Sequence, residues 1–216
     1  MGFPERLIDG YRIFRDTRLV VEQNRYRELA ETGQQPEIMI IGCSDSRVSP
    51  EVIFDARPGE LFVVRNVANL VPTYSPTGFA HGVSAALEFA VEGLRVRHIV
   101  VLGHARCGGI RAYAESNAPL SAGNFIGKWM SLIAPAAASV GSPAGRPLAE
   151  YLTRLEQAST LHTLDNLMTF PFVRIAVEHR RLRLHAAYFD VATGMLSTAD
   201  PATGDFAYRP QRLGSR

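Results

Sequence analysis

Ile38-Met39-Ile40-Ile41-Gly42-Cys43-Ser44-Asp45-Ser46-Arg47 begins as an apolar run and ends as a polar turn. The run follows Pro36, is strand-length and does not alternate, the pattern of a strand covered on both faces of a parallel sheet. Just past it the chain presents a thiol, a carboxylate and a guanidinium within five residues. Ile99-Val100-Val101-Leu102-Gly103 repeats the design and leads into His104-Ala105-Arg106-Cys107, which holds the only other cysteine. Sites in open parallel sheets form beyond the carboxyl ends of strands, so both segments are aimed at the same rim.

Residues 4–31 carry Leu7, Tyr11, Phe14 and Leu19 among many charges, an amphipathic pattern for two helices or for one bent at Asp16-Thr17. Gly33 supplies a stop, and Pro36 bars continuation. Strands at 37–42, 61–65 and 97–102 alternate with a short helix that Ser49 caps and Pro50 opens, and with a helix over 79–93. Further helices are predicted from Gly108 to about Glu115, over 124–138 with a bend or stop at Pro135, over 148–167 and over 171–181. His185 to Asp190 reads as another strand, and Ala192-Thr193-Gly194 turns the chain into an antiparallel edge strand at 195–197. The fold class is α/β: a central, mostly parallel sheet of about four parallel strands plus an antiparallel edge strand, flanked by helices. One domain accounts for the chain, with an N-terminal helical arm over 1–35, a core over 36–200 and a tail over 201–216. The arm packs either on its own core or on a neighbour.

The 216 residues are 46% hydrophobic and 20% charged, with a net charge of only +2, an ordinary globular balance. Lys128 is the sole lysine, and the arginines are scattered along the sequence among acidic residues, without the basic run a nucleic-acid surface requires. No apolar run approaches the ~20 residues of a membrane span. Met1 to Arg18 contains no continuous apolar segment of a secretory signal. The reading is a cytoplasmic protein with neither a nucleic-acid nor a membrane partner. In that reducing compartment two cysteines serve as ligands or catalysts rather than as a disulfide.

Zinc favours thiolate and imidazole ligands in tetrahedral geometry, and three protein ligands leave a fourth position open. His104-x-x-Cys107 at a helix start brings two such side chains together, and Cys43 supplies a third from another strand end. The set has the composition of a catalytic site; an Asp45 oxygen in the fourth position would instead close it. Plainer readings exist for each part. Buried cysteines act as small apolar filler, Asp45 and Arg47 form an ordinary ion pair, and Gly108-Gly109 either faces an anion or only permits a tight turn.

Taken together, Cys43-Ser44-Asp45-Ser46-Arg47 and His104-x-x-Cys107-Gly108-Gly109 resemble the β-class carbonic anhydrases. Pro58-Gly59-Glu60-Leu61-Phe62-Val63-Val64-Arg65-Asn66-Val67-Ala68-Asn69-Leu70-Val71 fits that family's second strand and loop, and Thr169-Phe170-Pro171-Phe172-Val173-Arg174 fits a later helix of its plant-like branch. The similarity spans roughly residues 33–190. It implies one Zn2+ per chain on Cys43, His104 and Cys107, lowering the pKa of a bound water from 15.7 to about 7–9, so that zinc-bound hydroxide attacks carbon dioxide and bicarbonate leaves. It further implies that Asp45 accepts a hydrogen bond from that hydroxide and that Arg47 holds Asp45 ionised. Gln34 would bind substrate across a dimer interface, Phe62 and Val67 would line the carbon dioxide pocket, and Gly108 would offer a backbone N–H there. A homodimer or a multiple of dimers is implied, with the N-terminal helices crossing to the partner.

Departures from the family sharpen this. Phe89 stands where tyrosine is frequent. One branch builds a non-catalytic bicarbonate pocket from Trp, Arg and Tyr; Arg65 fits the arginine, but Ile40 and Phe189 hold the other two places. An open site, with Asp45 off the metal at neutral pH, is the consequence. Three alternatives stand beside carbon dioxide hydration. The same scaffold would serve hydrolysis of carbon disulfide or carbonyl sulfide. A zinc-stabilised binding or sensing protein has no need of Asp45 and Arg47, and a redox protein lacks Cys-x-x-Cys proximity.

Overall fold

Two helices, α1 (Glu5–Asp16) and α2 (Arg18–Thr32), precede a six-stranded sheet. The computed structural model describes residues 2–77, 81–115, 123 and 125–208. The apolar runs pair as parallel neighbours: β1 (Ile38–Cys43), β2 (Leu61–Asn66), β3 (His98–His104) and β4 (Arg183–Phe189). β5 (Leu196–Ala199) and β6 (Phe206–Tyr208) add antiparallel, giving the order β2-β1-β3-β4-β5-β6.

Every parallel step needs a crossover, and helices supply it. α3 (Pro50–Ile53) connects β1 to β2, and α4 (Gly82–Glu88), continued as a π-turn over Phe89–Gly93, leads into β3. α5 (Gly108–Glu115), α6 (Phe125–Met130), α7 (Ala134–Val140), α8 (Leu148–Met168) and α9 (Pro171–Glu178) lie between β3 and β4.

Alternation along the strands sorts the core into layers. Met39, Ile41, Ile99 and Val101 meet Leu87 and Val91 from α4 and its π-turn and Leu167, Phe170 and Val173 from α8, α9 and the turn between them, all fully buried or nearly so. At ~1.5–3 kcal/mol per buried side chain, this layer is the main source of stability. The opposite face is thinly covered: Ile40, Leu102 and Ala187 are buried beside Phe54 and Leu196. Two grooves of about 450 and 400 Å³ open there, over Ile38, Phe54 and Val100. Beyond the carboxyl ends of the strands a third cluster gathers Cys43, Val48, Leu70, Cys107, Ile110, Met130 and Leu155.

The register places the key residues. Gly42 pairs with Leu102 and Cys43 with Asn66, so Cys43 lies within one residue of the level of His104. α8 can pack closely over β3 because its buried stripe includes the small side chains of Ser159, Thr160 and Thr163 and because position 103 is glycine. A Cβ on Gly103 would collide with Thr160 Oγ1.

Several boundaries differ from the sequence reading. The arm takes the first of its two expected forms, two helices with the break at Thr17; other boundaries moved. The helix expected over 79–93 starts its described part at Gly82 and ends as the π-turn; residues 79 and 80 lie outside the described set. The segment expected over 124–138 is divided by a 3-10 turn at Ser131–Ile133, and residue 124 lies outside the described set. The tail expected from 201 onwards is not separate, since Phe206–Tyr208 extends the sheet; two antiparallel strands replace the single one expected.

Candidate metal centre

Cys43 is the last residue of β1, and the chain leaving it is held by Ser44 N–H donating to Asn66 O at 2.9 Å. His104 is the last residue of β3. The next residues reverse direction because Arg106 adopts a left-handed φ of 60°, which returns Cys107 to the same point just before α5 begins. The Sγ atoms of Cys43 and Cys107 and a ring nitrogen of His104 all lie within 4.8 Å of one another. These three residues are 5%, 2% and 1% exposed, respectively.

The donor set fits zinc. Donors bound tetrahedrally at about 2.0–2.3 Å stand roughly 3.5–3.8 Å apart, so little contraction is required. His104 Nδ1 lies 3.0 Å from Ala105 O, and because a carbonyl only accepts, Nδ1 carries the proton. Nε2 is left as a buried lone pair with no hydrogen-bond partner among the described residues. A buried imidazole nitrogen beside two thiols, with no hydrogen-bond partner among the described residues, is the donor arrangement a metal ligand presents.

The thiols say the same electrostatically. The Cys107 thiol hydrogen-bonds to Cys43, moving the Cys43 pKa well down, with help from His104 and the Ala68 N–H at 3.4 Å, while Cys107 is driven up by the same bond and by burial. The pair shares one negative charge; a divalent cation lets both ionise. Burial alone would lower His104, but the adjacent Cys43 sulfur and its negative charge outweigh it, and its pKa rises.

Asp45 and Arg47 stand at the mouth. Arg47 Nε and Nη2 donate to the two Asp45 oxygens at 2.9 and 2.7 Å, and the Arg47 backbone N–H adds a third bond at 3.0 Å. Arg47 Nη2 also reaches Arg106 O at 3.0 Å, tying the two loops together. Above all through the Arg47 side-chain bond, Asp45 is held well below the usual carboxylate range. Asp45 is not part of the ligand group, which contains Cys43, His104 and Cys107.

Residues 38–196 match the family described as carbonic anhydrase. The chain belongs to that family, in its β class. A carbonic anhydrase of Pseudomonas aeruginosa is 38% identical over 200 residues, covering 93% of this chain and 89% of that protein. The solved β-carbonic anhydrase CcaA superposes with a TM-score of 0.88 at 28% identity, covering 96% of this chain and 92% of that one. One of two tetrameric β-carbonic anhydrases of Sordaria macrospora gives 0.78 at 30% identity, with 94% and 98% covered. Zinc is the cofactor of this class, and reversible hydration of carbon dioxide is its reaction.

Within one chain, only part of the expected substrate pocket of this carbonic anhydrase comes together. Val67 reaches the centre: its Cγ1 would lie 2.9 Å from a Cβ on Gly109, and its carbonyl accepts a 2.7 Å bond from Trp129 Nε1. Gly108 opens α5 beside Cys107. Phe62 instead pairs with Met39 near the start of β2, four residues or about 13 Å from the level of Cys43 and Asn66, and packs against Phe89. Gln34 is exposed in the segment before β1, at the other end of that strand from Cys43. Arg65 is occupied by backbone, donating to Cys43 O at 2.8 Å and Asp45 O at 2.7 Å, while Ile40 is buried against Leu102 and Ala187.

The sequence reading missed Glu156. This buried carboxylate on α8 accepts from Cys107 N–H at 3.0 Å through Oε1 and from Tyr188 O–H at 2.5 Å through Oε2. Burial raises its pKa, while those hydrogen bonds pull the other way. It sits one residue after buried Leu155 and three before buried Ser159, on the inward stripe of α8. Asn66 was missed too: its amide clamps Leu70 through both N–H and C=O, stabilising the left-handed Ala68 and Asn69 behind Cys43.

Proposed function

We propose that Cys43, His104 and Cys107 hold the zinc of this carbonic anhydrase and that Asp45, Arg47, Gln34, Phe62, Val67 and Gly108 complete the reaction site. The carrying observation is the buried Nε2 of His104, unpartnered among the described residues, on a ring grouped with two thiols whose donor atoms all lie within 4.8 Å. Zinc, when bound there, acidifies a water so that a hydroxide-like nucleophile is available near neutral pH. Asp45, with its carboxylate at the mouth of the site, would accept a hydrogen bond from the attacking water and so orient it toward carbon dioxide. Arg47, bound to both Asp45 oxygens, keeps the carboxylate ionised and off the metal, which favours an open site. Val67 supplies an apolar wall for carbon dioxide, and the Gly108 N–H at the start of α5 favours the negative charge that develops on the product oxygens.

Gln34 and Phe62 lie away from the centre of their own chain, so their roles require a second copy. α1 buries no residue, and the arm exposes Leu7, Tyr11, Ile13, Val20 and Val21, each more than half accessible. The thinly covered sheet face offers matching apolar grooves. A homodimer, or a multiple of dimers as in the tetrameric Sordaria macrospora relatives, covers both surfaces and brings Gln34 of the partner subunit to the site. The compartment fits the cytoplasm: both cysteines are free and buried, and among the described residues no helix is long and apolar enough to cross a membrane.

Asp45→Asn tests the division of labour. The variant keeps its zinc, because no ligand is touched, and loses carbon dioxide hydration by about 100-fold or more, the scale of a lost proton-accepting group. Normal turnover in that variant would remove Asp45 from the mechanism.

A further inference from the structure

Arginines scattered along the sequence converge at the end of the sheet opposite the metal centre. Arg95, Arg97, Arg180, Arg181 and Arg183 line a cavity of about 750 Å³ with Glu92, above an apolar floor of Val91, Val96 and Ala176. Two turns build it alike. The π-turn and α9 each run into a left-handed arginine, Arg95 at φ 56° and Arg180 at φ 58°. Each of these arginines stands three residues before one of the paired positions His98 and Arg183. Val96 N–H returns to Ala90 O at 3.0 Å, and Leu182 N–H returns to Ala176 O at 3.1 Å. Arg183 N–H then bonds Arg97 O at 2.9 Å, which fixes the two basic segments side by side.

The charge there is out of proportion to structural need. Five arginines against one glutamate leave four net positive charges, where the whole chain carries two. Arg97 pairs with Glu37 at 3.4 Å, both exposed; Arg95, Arg180, Arg181 and Arg183 form no ion pair among the described residues. Cations do offset the negative ends of helices, but each helix end amounts to about half a charge. Two ends leave most of the cluster uncompensated. The neighbouring His185 feels it: burial and then the charges of His98 and Arg183 lower its pKa.

We propose that this cavity binds a small polyanion carrying at least two linked phosphate groups. A guanidinium is a planar fork that holds two phosphate oxygens at once, and several forks around one cavity suit a phosphoanhydride chain. Exposed single charges are screened within ~8–10 Å at physiological salt, so a monovalent anion gains little and a multivalent one gains most. Among the described residues no Phe, Tyr or Trp lines the cavity and His98 is its one ring, against five guanidinium groups, so the phosphate chain is the main recognised group, whether free or part of a nucleotide. The seven residues of β3 separate the cavity from His104 by about 20 Å, so this ligand is not the substrate of the metal centre.

Isothermal titration of the zinc-loaded full-length protein with sodium tripolyphosphate at low ionic strength tests this. One site per chain is expected, with affinity falling as salt is added. In Arg95→Gln/Arg181→Gln the affinity drops by about tenfold or more, the scale of a lost charge-assisted hydrogen bond, while carbon dioxide hydration and thermal melting stay as in the parent. Arg12→Gln/Arg15→Gln on α1 is the charge-matched control and binds normally. ATP binds no more tightly than tripolyphosphate, and orthophosphate binds far more weakly. Binding heat that persists in Arg95→Gln/Arg181→Gln, as it would if tripolyphosphate only stripped zinc, overturns the proposal. So does equal affinity for orthophosphate, or a single-stranded oligonucleotide that binds more tightly than tripolyphosphate.

Discussion

At the metal centre His104 Nε2 is a buried nitrogen without a hydrogen-bond partner among the described residues. His104 Nδ1 is committed to Ala105 O, which leaves Nε2. Arg65 acts at one remove, by holding the carbonyls of Cys43 and Asp45. Arg65→Leu is expected to retain zinc and to lose about 10–100-fold in hydration rate, as supporting partners of metal sites do. Lysine restores little, because an ammonium does not span two carbonyls as a fork does; metal analysis with stopped-flow assays reads both. Asp45 gives a pH signature. Its native pKa is depressed by Arg47, so its contribution to stability is present in full above the unfolded value of about 3.9 and is lost as pH falls below it. Denaturant titrations should show a stability gap between the parent and Arg47→Gln that is constant from neutral pH to about pH 5 and shrinks below about pH 4. A gap that persists undiminished to strongly acidic pH would contradict that assignment. Cys43, His104 and Cys107 were legible because each terminates or closely follows an apolar strand. Glu156 was not: a helical glutamate reads as solvent-facing, and its partners Cys107 and Tyr188 are 49 and 32 residues away.

The fit of α8 against β3 decides how rigidly the centre is held, since α8 contributes Glu156 and β3 contributes His104. Gly103→Ala is expected to destabilise by about 1–3 kcal/mol, the usual cost of overpacking, because the new Cβ meets Thr160 Oγ1. Adding Thr160→Ala removes that hydroxyl, and most of the loss should return; failure to recover in denaturant unfolding would show that the strain lies elsewhere. Among the elements, the buried strands and α8 were readable from composition and period. β6 was not, because Phe206-Ala207-Tyr208 is too short to show alternation and gains its strand identity only from pairing with β5. The π-turn at Phe89–Gly93 likewise leaves no mark in a pattern read at 3.6 residues per turn.

For the whole molecule, α2 meets its own core through Arg25 at Pro58 and Leu29 at Gly59, while the proposed dimer would cover the exposed residues of the arm and the open sheet face. Light scattering should give a dimer or a multiple of it for the parent. Tyr11→Glu/Val21→Glu, charging the exposed arm, should shift the mass toward a monomer and reduce hydration, because Gln34 and Phe62 lose the copy they serve. A monomeric parent with full activity would remove the intersubunit roles. The sequence carried the arm's amphipathic pattern but not its contacts, which lie on residues more than twenty positions away, such as Pro58 and Gly59. The central claim, that Cys43, His104 and Cys107 together make the catalytic zinc site, is tested most directly by zinc quantification alongside stopped-flow carbon dioxide hydration in the parent and in Cys107→Ala. The prediction is about one zinc per parent chain with rapid hydration, and loss of both in the variant. A parent that hydrates carbon dioxide without zinc, or a Cys107→Ala variant that keeps its rate, would contradict it.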